Sequence, residues 1–292
     1  MSTGPAILIV DDERTLARAI RAYLTEAGYL AGVSWELEGE HGRALDAFRA
    51  VVAAWPDHPR ALDSKFRIAL TLADAGVYDE ALRALRAVGS EGGLRRTDPT
   101  GQDADKVHLC RATWGYATHP RPGPERRLRA ALDRPDDDPL VWYVAWGHLT
   151  ILRHELAAGE ALSLGVSDRE VRAWLDARTA HVDAARAELD ALIRLDQVWF
   201  VLDGLDRFGH HFVDLADDLL AAPEPPGLSA VSRSIFHANV ESRAEDQLVK
   251  ARGYYQLGVD LALRVSWEGP EAAALRDQVD ALTARVEAMA PP

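Results

Sequence analysis

The chain has 292 residues, of which 48% are hydrophobic and 27% are charged, so its composition is that of a globular protein rather than a fibrous or disordered one. It has 46 acidic and 33 basic residues and a net charge of −13, which disfavours binding to nucleic acid or to an anionic membrane. The single cysteine, Cys110, cannot form an internal disulfide, and the longest early apolar run is too short to span a bilayer, so we expect a cytoplasmic protein.

The first predicted element is a short strand that ends in acidic residues. Residues 6–10 are aliphatic, and Asp11, Asp12 and Glu13 follow them. An amphipathic helix comes next, with apolar residues at helical spacing at Leu16, Ile20 and Leu24. Residues 6–29 resemble the first strand and helix of a response-regulator receiver domain. The resemblance implies that Asp11 and Asp12 form an acidic pair of the kind that binds Mg²⁺.

A working receiver also needs a phosphoacceptor aspartate after a third strand, and a hydroxyl residue and a lysine that converge on it. By spacing, the nearest candidates are Asp57, Ser90 and Lys106. Asp57 lies at a helix terminus, Ser90 in a Gly-rich loop and Lys106 at a helix start, so their settings do not match. We therefore expect a relic of a receiver, packed as an irregular or single-strand N-terminal arm. The alternative is a phosphoreceiver that uses Asp11, Asp12 and Asp57 with Mg²⁺.

An internal repeat follows the N-terminal segment. When the chain is offset by 37 residues, residues of like size coincide: Trp35 with Leu72, Gly39 with Gly76, His41 with Tyr78, Ala44 with Ala81, Phe48 with Leu85, and Val51 with Val88. Each copy contains an apolar stripe at helical spacing, a break with glycine and a second apolar stripe. This pattern predicts a helical hairpin that is used twice.

The repeat resembles the tetratricopeptide repeat (TPR), a helical hairpin of about 34 residues that stacks into a right-handed superhelix. In the first copy, about residues 25–58, the resemblance depends on Ala31, Gly32, Trp35, Gly39, His41, Ala44, Phe48 and Pro56. The second copy, which ends at Gly89 within the segment 25–95, keeps Ile68, Ala69, Leu72, Gly76, Tyr78, Ala81 and Leu85. It has no terminal proline.

The rest of the chain carries weaker copies of the same pattern. First-helix spacing recurs at residues 139–149 and 254–261, loops are predicted at 89–105 and 222–229, and a long helix is predicted from Asp168 to about Leu195. A final helix opens at Gly269–Pro270, and we expect it to cap the last hairpin, with a homodimer seam as the alternative. The sequence thus predicts an all-α, TPR-like α-solenoid in four segments: 1–24, 25–95, 96–221 and 230–292.

The TPR resemblance implies a concave groove lined by the first helix of each hairpin. Its groove-facing positions would be Glu26, Tyr29, Val33, Glu36, Leu37, Asp63, Phe66, Leu70 and Asp74. The family's clamps for C-terminal carboxylates need Lys or Arg there, and none of these nine residues is basic. We therefore expect a non-enzymatic scaffold for a peptide or protein with basic and apolar side chains, anchored by Tyr29 and Phe66. A plain solvated helix face is the alternative for these residues, and a phosphoreceiver with a helical output region is the alternative for the protein.

Other suggestive patterns do not predict a site. The pair His210–His211 lacks a partner four residues on, so surface histidines are expected rather than zinc ligands. Residues 198–206 resemble the aliphatic strand of a nucleotide-binding protein, but the chain has no phosphate-binding loop motif. Asp136–Asp138 precede a helix and are expected to cap it. We expect no catalytic residue, metal or cofactor.

Overall fold

The computed structural model describes residues 13–90, 102–162 and 168–289, and within these ranges every regular element is an α-helix. The helices are α1 (Glu13–Leu37), α2 (His41–Ala54), α3 (Pro59–Asp74), α4 (Tyr78–Ser90), α5 (Gln102–Thr118), α6 (Pro122–Leu132), α7 (Val141–Glu160), α8 (Asp168–Arg194), α9 (Val198–Leu220), α10 (Ala230–Arg264) and α11 (Pro270–Met289). The all-α prediction is confirmed for this part of the chain. The predicted N-terminal arm, residues 6–10, lies outside the described residues.

The two copies of the repeat form two hairpins, α1–α2 and α3–α4, which turn in the same way. Gly39 and Gly76 have φ values of 74° and 76°, a left-handed conformation that glycine adopts without strain. The amide that follows each glycine donates a 2.8 Å hydrogen bond back to the preceding helix, from Glu40 to Trp35 and from Val77 to Leu72. Such a bond satisfies a carbonyl at the helix end, so the coincident glycines mark equivalent helix C-termini.

The coincident apolar residues of the second helices are all buried: Ala44, Ala81, Phe48, Leu85, Val51 and Val88. Phe48 packs against Tyr29 with ring centroids 5.9 Å apart. The helices of this hairpin approach closely, since a Cβ at Gly32 would come within 2.6 Å of the Phe48 ring. A small residue at position 32 therefore lets α1 lie directly on α2.

The chain divides into two compact units, Met1–His119 and Pro120–Pro292. Helices α1–α5 belong to the first unit and α6–α11 to the second. This division is coarser than the four predicted segments. Helix α1 also continues across the predicted boundary between residues 24 and 25.

The second unit is built from neighbouring helix pairs, α7 with α8, α9 with α10, and α10 with α11. Glycines again mark close approaches, because an added Cβ would meet Leu132 at Gly147, Tyr255 at Gly209 and Leu275 at Gly258. Helix α8 covers the predicted 168–195 almost residue for residue, and α11 begins at Pro270 as predicted. The predicted loop 222–229 separates α9 from α10.

Helix α11 covers the end of α10 with Ala272, Leu275 and Leu282, all of which are buried. The alternative of a homodimer seam on this helix stays a prediction. Among the described residues, no helix is both long enough and apolar enough to cross a membrane.

Candidate functional site

Both acidic groove residues of α1, Glu26 and Glu36, are bound by arginines of α3. Arg60 on α3 donates two hydrogen bonds of 2.8 Å to the Glu26 carboxylate and one of 2.9 Å to Asp63. The hydrogen bond from Arg60 lowers the pKa of Glu26 below its ordinary value. The same guanidinium lies 4.5 Å from the centroid of the Tyr29 ring, within the range of a cation–π contact.

About two turns farther along α3, Arg67 binds the second groove acid of α1. Its Nη1 donates a hydrogen bond of 2.5 Å to Glu36, and Thr71 Oγ1 donates another of 3.1 Å to the same carboxylate. Burial opposes the charge on Arg67, but Glu36 and the Tyr29 hydroxyl outweigh it and raise the pKa of Arg67. Glu36 is thus neutralised within the protein, and its side chain is 12% exposed.

The apolar groove residues have divided roles. Tyr29 is 9% exposed and belongs to the core cluster with Phe48, and Val33 is half-buried against that cluster. Leu37 is 84% exposed at the end of α1. On α3, Phe66 and Leu70 are half-buried, whereas Asp63 and Asp74 are exposed. A side chain as buried as Tyr29 offers little surface to a partner, so its predicted anchoring role has less structural support than that of Phe66.

Asp63 and Phe66 line a pocket where α3, α4 and α5 meet. The pocket is partly open, with about 310 Å³ of empty space that includes open solvent, and it is also lined by Leu62, Val88, Asp103, Lys106 and Val107. Four of the seven lining residues are apolar, and Asp63, Asp103 and Lys106 supply the polar part. Lys106 forms a salt bridge of 3.2 Å with Asp103 on its own helix. Lys106 is therefore paired with an acid of its own helix, α5. Asp63 gives the α3 side of the pocket a negative charge.

The structure describes only three of the residues of the receiver interpretation. Asp11 and Asp12 lie outside the described residues. Asp57 is in the turn between α2 and α3, Ser90 ends α4, and Lys106 is in the second turn of α5. Within the described ranges, no group of three His, Cys, Asp or Glu side chains is arranged to hold a metal ion.

The structure also places the other suggestive residues. Asp138 accepts a 2.7 Å hydrogen bond from the Leu140 amide just before α7, but no side chain caps the N-terminus of α7 itself, so the capping prediction is wrong. Cys110 is buried, and burial raises the pKa of its thiol. His210 is exposed, but the expectation of a surface histidine is wrong for His211, which is fully buried.

The ring of His211 is held between helices, because its Nδ1 lies 3.1 Å from the Glu160 carboxylate of α7. Sequence spacing gives no sign of a partner 51 residues away.

Sequence reasoning missed Arg60, Arg67 and the third wall that α5 adds to the pocket. The two arginines lie 34 and 31 residues after the acids that they bind. These separations are close to the repeat offset of the chain, so a search for opposite charges about one repeat apart would have found both pairs. No protein-family model matches this chain, and no curated protein matches it. The TPR and receiver resemblances stay predictions.

Proposed function

We propose that this protein is a non-enzymatic interaction scaffold with stacked, TPR-like hairpins, and that its first unit binds an extended segment of a protein partner. An apolar side chain of that segment enters the pocket between α3, α4 and α5. A basic side chain beside it pairs with Asp63. Cytoplasmic location belongs to this proposal and is supported by the single cysteine, which suits a reducing compartment.

The observation that carries the proposal is the pocket itself. The TPR register assigned Asp63 and Phe66 to a groove on sequence grounds, and both line a pocket with three aliphatic side chains, Leu62, Val88 and Val107. Apolar pockets with a few placed charges are the usual form of a site that binds one side chain of a ligand. The equivalent turns at Gly39 and Gly76 support the repeat register from which these positions were derived.

The charge pattern of the groove refines the expected partner. Glu26 and Glu36 already pair with Arg60 and Arg67, so they contribute structure rather than steering. Asp63 is 51% exposed and shares Arg60 with Glu26, so it can accept a further cation from solvent. The overall charge of −13 adds long-range attraction for a basic segment. Phe66 is the proposed anchor, with Asp63 as the adjacent charge.

The test is to pan a phage library of random dodecapeptides against the full chain and measure the enriched peptide by fluorescence polarisation. We expect enriched sequences to place an aliphatic or aromatic residue beside Arg or Lys. Phe66→Ala should weaken binding by about tenfold or more, as removal of an anchor does. Phe236→Ala, which removes a half-buried phenylalanine of α10 in the other unit, is the matched control and should leave binding unchanged.

Two results would contradict the proposal. One is the absence of any enriched sequence, and the other is a loss of binding that Phe236→Ala reproduces. Phosphorylation of the chain by acetyl phosphate with Mg²⁺ would instead support the phosphoreceiver alternative, because a scaffold should remain unlabelled.

A further inference from the structure

Two exposed tryptophans of the second unit lie at the same end of neighbouring helices. Trp142 and Trp199 are each the second residue of their helix, α7 and α9, and they are 43% and 38% exposed. Both contact Phe200 edge to face, with ring centroids 5.4 Å and 4.9 Å apart. We call Trp142, Phe200 and Trp199 the tryptophan surface. Large exposed aromatic groups are unusual unless they serve an interaction.

The ring of Trp199 is fixed from a third helix. Its indole N–H donates a hydrogen bond of 3.3 Å to one oxygen of Glu271 on α11, and the indole N–H of Trp267 donates one of the same length to the other oxygen. Phe200 behind the tryptophans is buried. The exposed rings are therefore held in place before any partner binds, which lowers the entropy cost of binding.

Exposed carboxylates lie in the connections next to the helix ends that carry the tryptophan surface. The connections that precede α7, α9 and α11 carry five exposed acids, Asp133, Asp136, Asp137, Asp196 and Glu268. Helices α8 and α10 end here with two exposed arginines, Arg194 and Arg264. Further exposed apolar side chains are Ile193, Leu263 and Val265. This end of the unit is thus both apolar and negatively charged.

We propose that the tryptophan surface is a second docking site, which takes a protein segment that carries arginine together with apolar side chains. A guanidinium can lie flat on an exposed indole face and still pair with a nearby carboxylate, whereas apolar side chains cover Ile193 and the edges of the rings. The site belongs to the second unit, so it does not depend on the groove of the first.

The charges also decide against other occupants. If a second copy of the chain docked here, the exposed acids of the two copies would face each other. Like charges that face each other across an interface cost several kcal/mol. An anionic membrane surface would be repelled for the same reason. A cationic, partly apolar protein segment is complementary in both respects.

The experiment uses the full chain and a capped, fluorescein-labelled dodecapeptide that alternates arginine with leucine, measured by polarisation at physiological salt. The double variant Trp142→Ala, Trp199→Ala should weaken binding by about tenfold or more. Val231→Ala, which removes an exposed apolar side chain at the opposite end of α10, is the control and should bind like the wild type. A peptide with glutamate in place of arginine should not bind.

Circular dichroism establishes that each variant is folded, and the conservative pair Trp142→Phe, Trp199→Phe should retain part of the affinity because it keeps two aromatic faces. Unchanged peptide binding by the double alanine variant would overturn the proposal. So would a finding that the wild type is a dimer and the double alanine variant a monomer, because a second copy of the chain would then occupy the surface. Because the proposed groove can also bind an arginine–leucine peptide, the same comparison is repeated in a chain that also carries Phe66→Ala, and there the full loss from the two tryptophan substitutions is expected. Failure here is therefore distinguishable from failure of the proposed groove.

Discussion

The carboxylate of Glu188 on α8 lies 2.7 Å from Nδ1 of His148 on α7, and it accepts a second hydrogen bond, of 2.6 Å, from Arg129 on α6. An ionised carboxylate has no proton to donate, so the histidine is the donor. Burial disfavours the charge on Glu188, but the histidine and the arginine outweigh burial and hold the pKa of Glu188 below its ordinary value of 4.5. One carboxylate thus joins three helices of the second unit.

Glu188→Gln should destabilise the protein by about 1–3 kcal/mol near neutral pH, because Arg129 and His148 lose the charge of their buried acceptor. The lowered pKa means that this contribution is fully present above about pH 4.5 and is lost as the pH falls through the lower folded value. Urea unfolding at a series of pH values checks this. The difference in the free energy of unfolding between Glu188→Gln and the wild type should become smaller as the pH falls. The control Glu287→Gln, at an exposed position, should show little effect at any pH. A pH-independent difference would contradict the assignment.

Gly209 and Gly253 offer a matched pair of glycine substitutions in neighbouring helices. A Cβ at Gly209 on α9 would come within 2.3 Å of the buried Tyr255 ring, whereas nothing lies within 4 Å of a Cβ at Gly253 on α10. Gly209→Ala should cost about 1–3 kcal/mol through overpacking. Gly253→Ala should stabilise by about 0.5–1 kcal/mol, because alanine is the better helix former. Thermal unfolding measures both, and equal shifts would show that α9 and α10 do not approach as described.

Glu36→Arg should destabilise the first unit, because it places a second guanidinium against Arg67 and removes the carboxylate that neutralises it. We expect a loss of about 1–3 kcal/mol in urea unfolding. Asp63→Asn removes the charge of an exposed side chain but keeps its shape, so it should change stability by less than about 0.5 kcal/mol. Asp63→Asn is consequently the cleaner variant for testing capture of basic peptides. An equal stability of the two variants would argue against the pairing between α1 and α3.

His210 should titrate well above an ordinary histidine. Its hydrogen bonding with Asp206, four residues earlier on α9, raises the pKa of His210 to about 9. The raised value means that the pair stabilises the fold fully below about pH 6.5 and loses this contribution as the pH rises through about 9. Since His210 is half exposed, the effect should be less than about 1 kcal/mol.

The NMR chemical shifts of the His210 ring against pH provide the direct measurement. His210→Gln should flatten the stability profile between these two pH values. A ring that titrates near 6.5 would show that Asp206 does not hold it.

The sequence by itself determined the elements of the two N-terminal hairpins. Helical spacing of apolar residues, the glycines at 39 and 76 and the proline that opens α3 act through the local backbone, so they can be recognised without knowledge of the rest of the chain. The offset of 37 residues also predicted which side chains of α2 and α4 are buried. The TPR stacking inferred from it stays a proposal.

Tertiary structure alone decided which of the predicted groove residues are accessible. Tyr29 and Glu36 have the spacing of groove positions, but the rotation of α1 against α3 buries the first and pairs the second with Arg67. Tertiary structure also brings Trp142 and Phe200 into contact, although they are 58 positions apart in the sequence. The rotation and register between two helices come from the packing of their whole contact surface. No local pattern encodes them, so these contacts appear only when the helices are assembled.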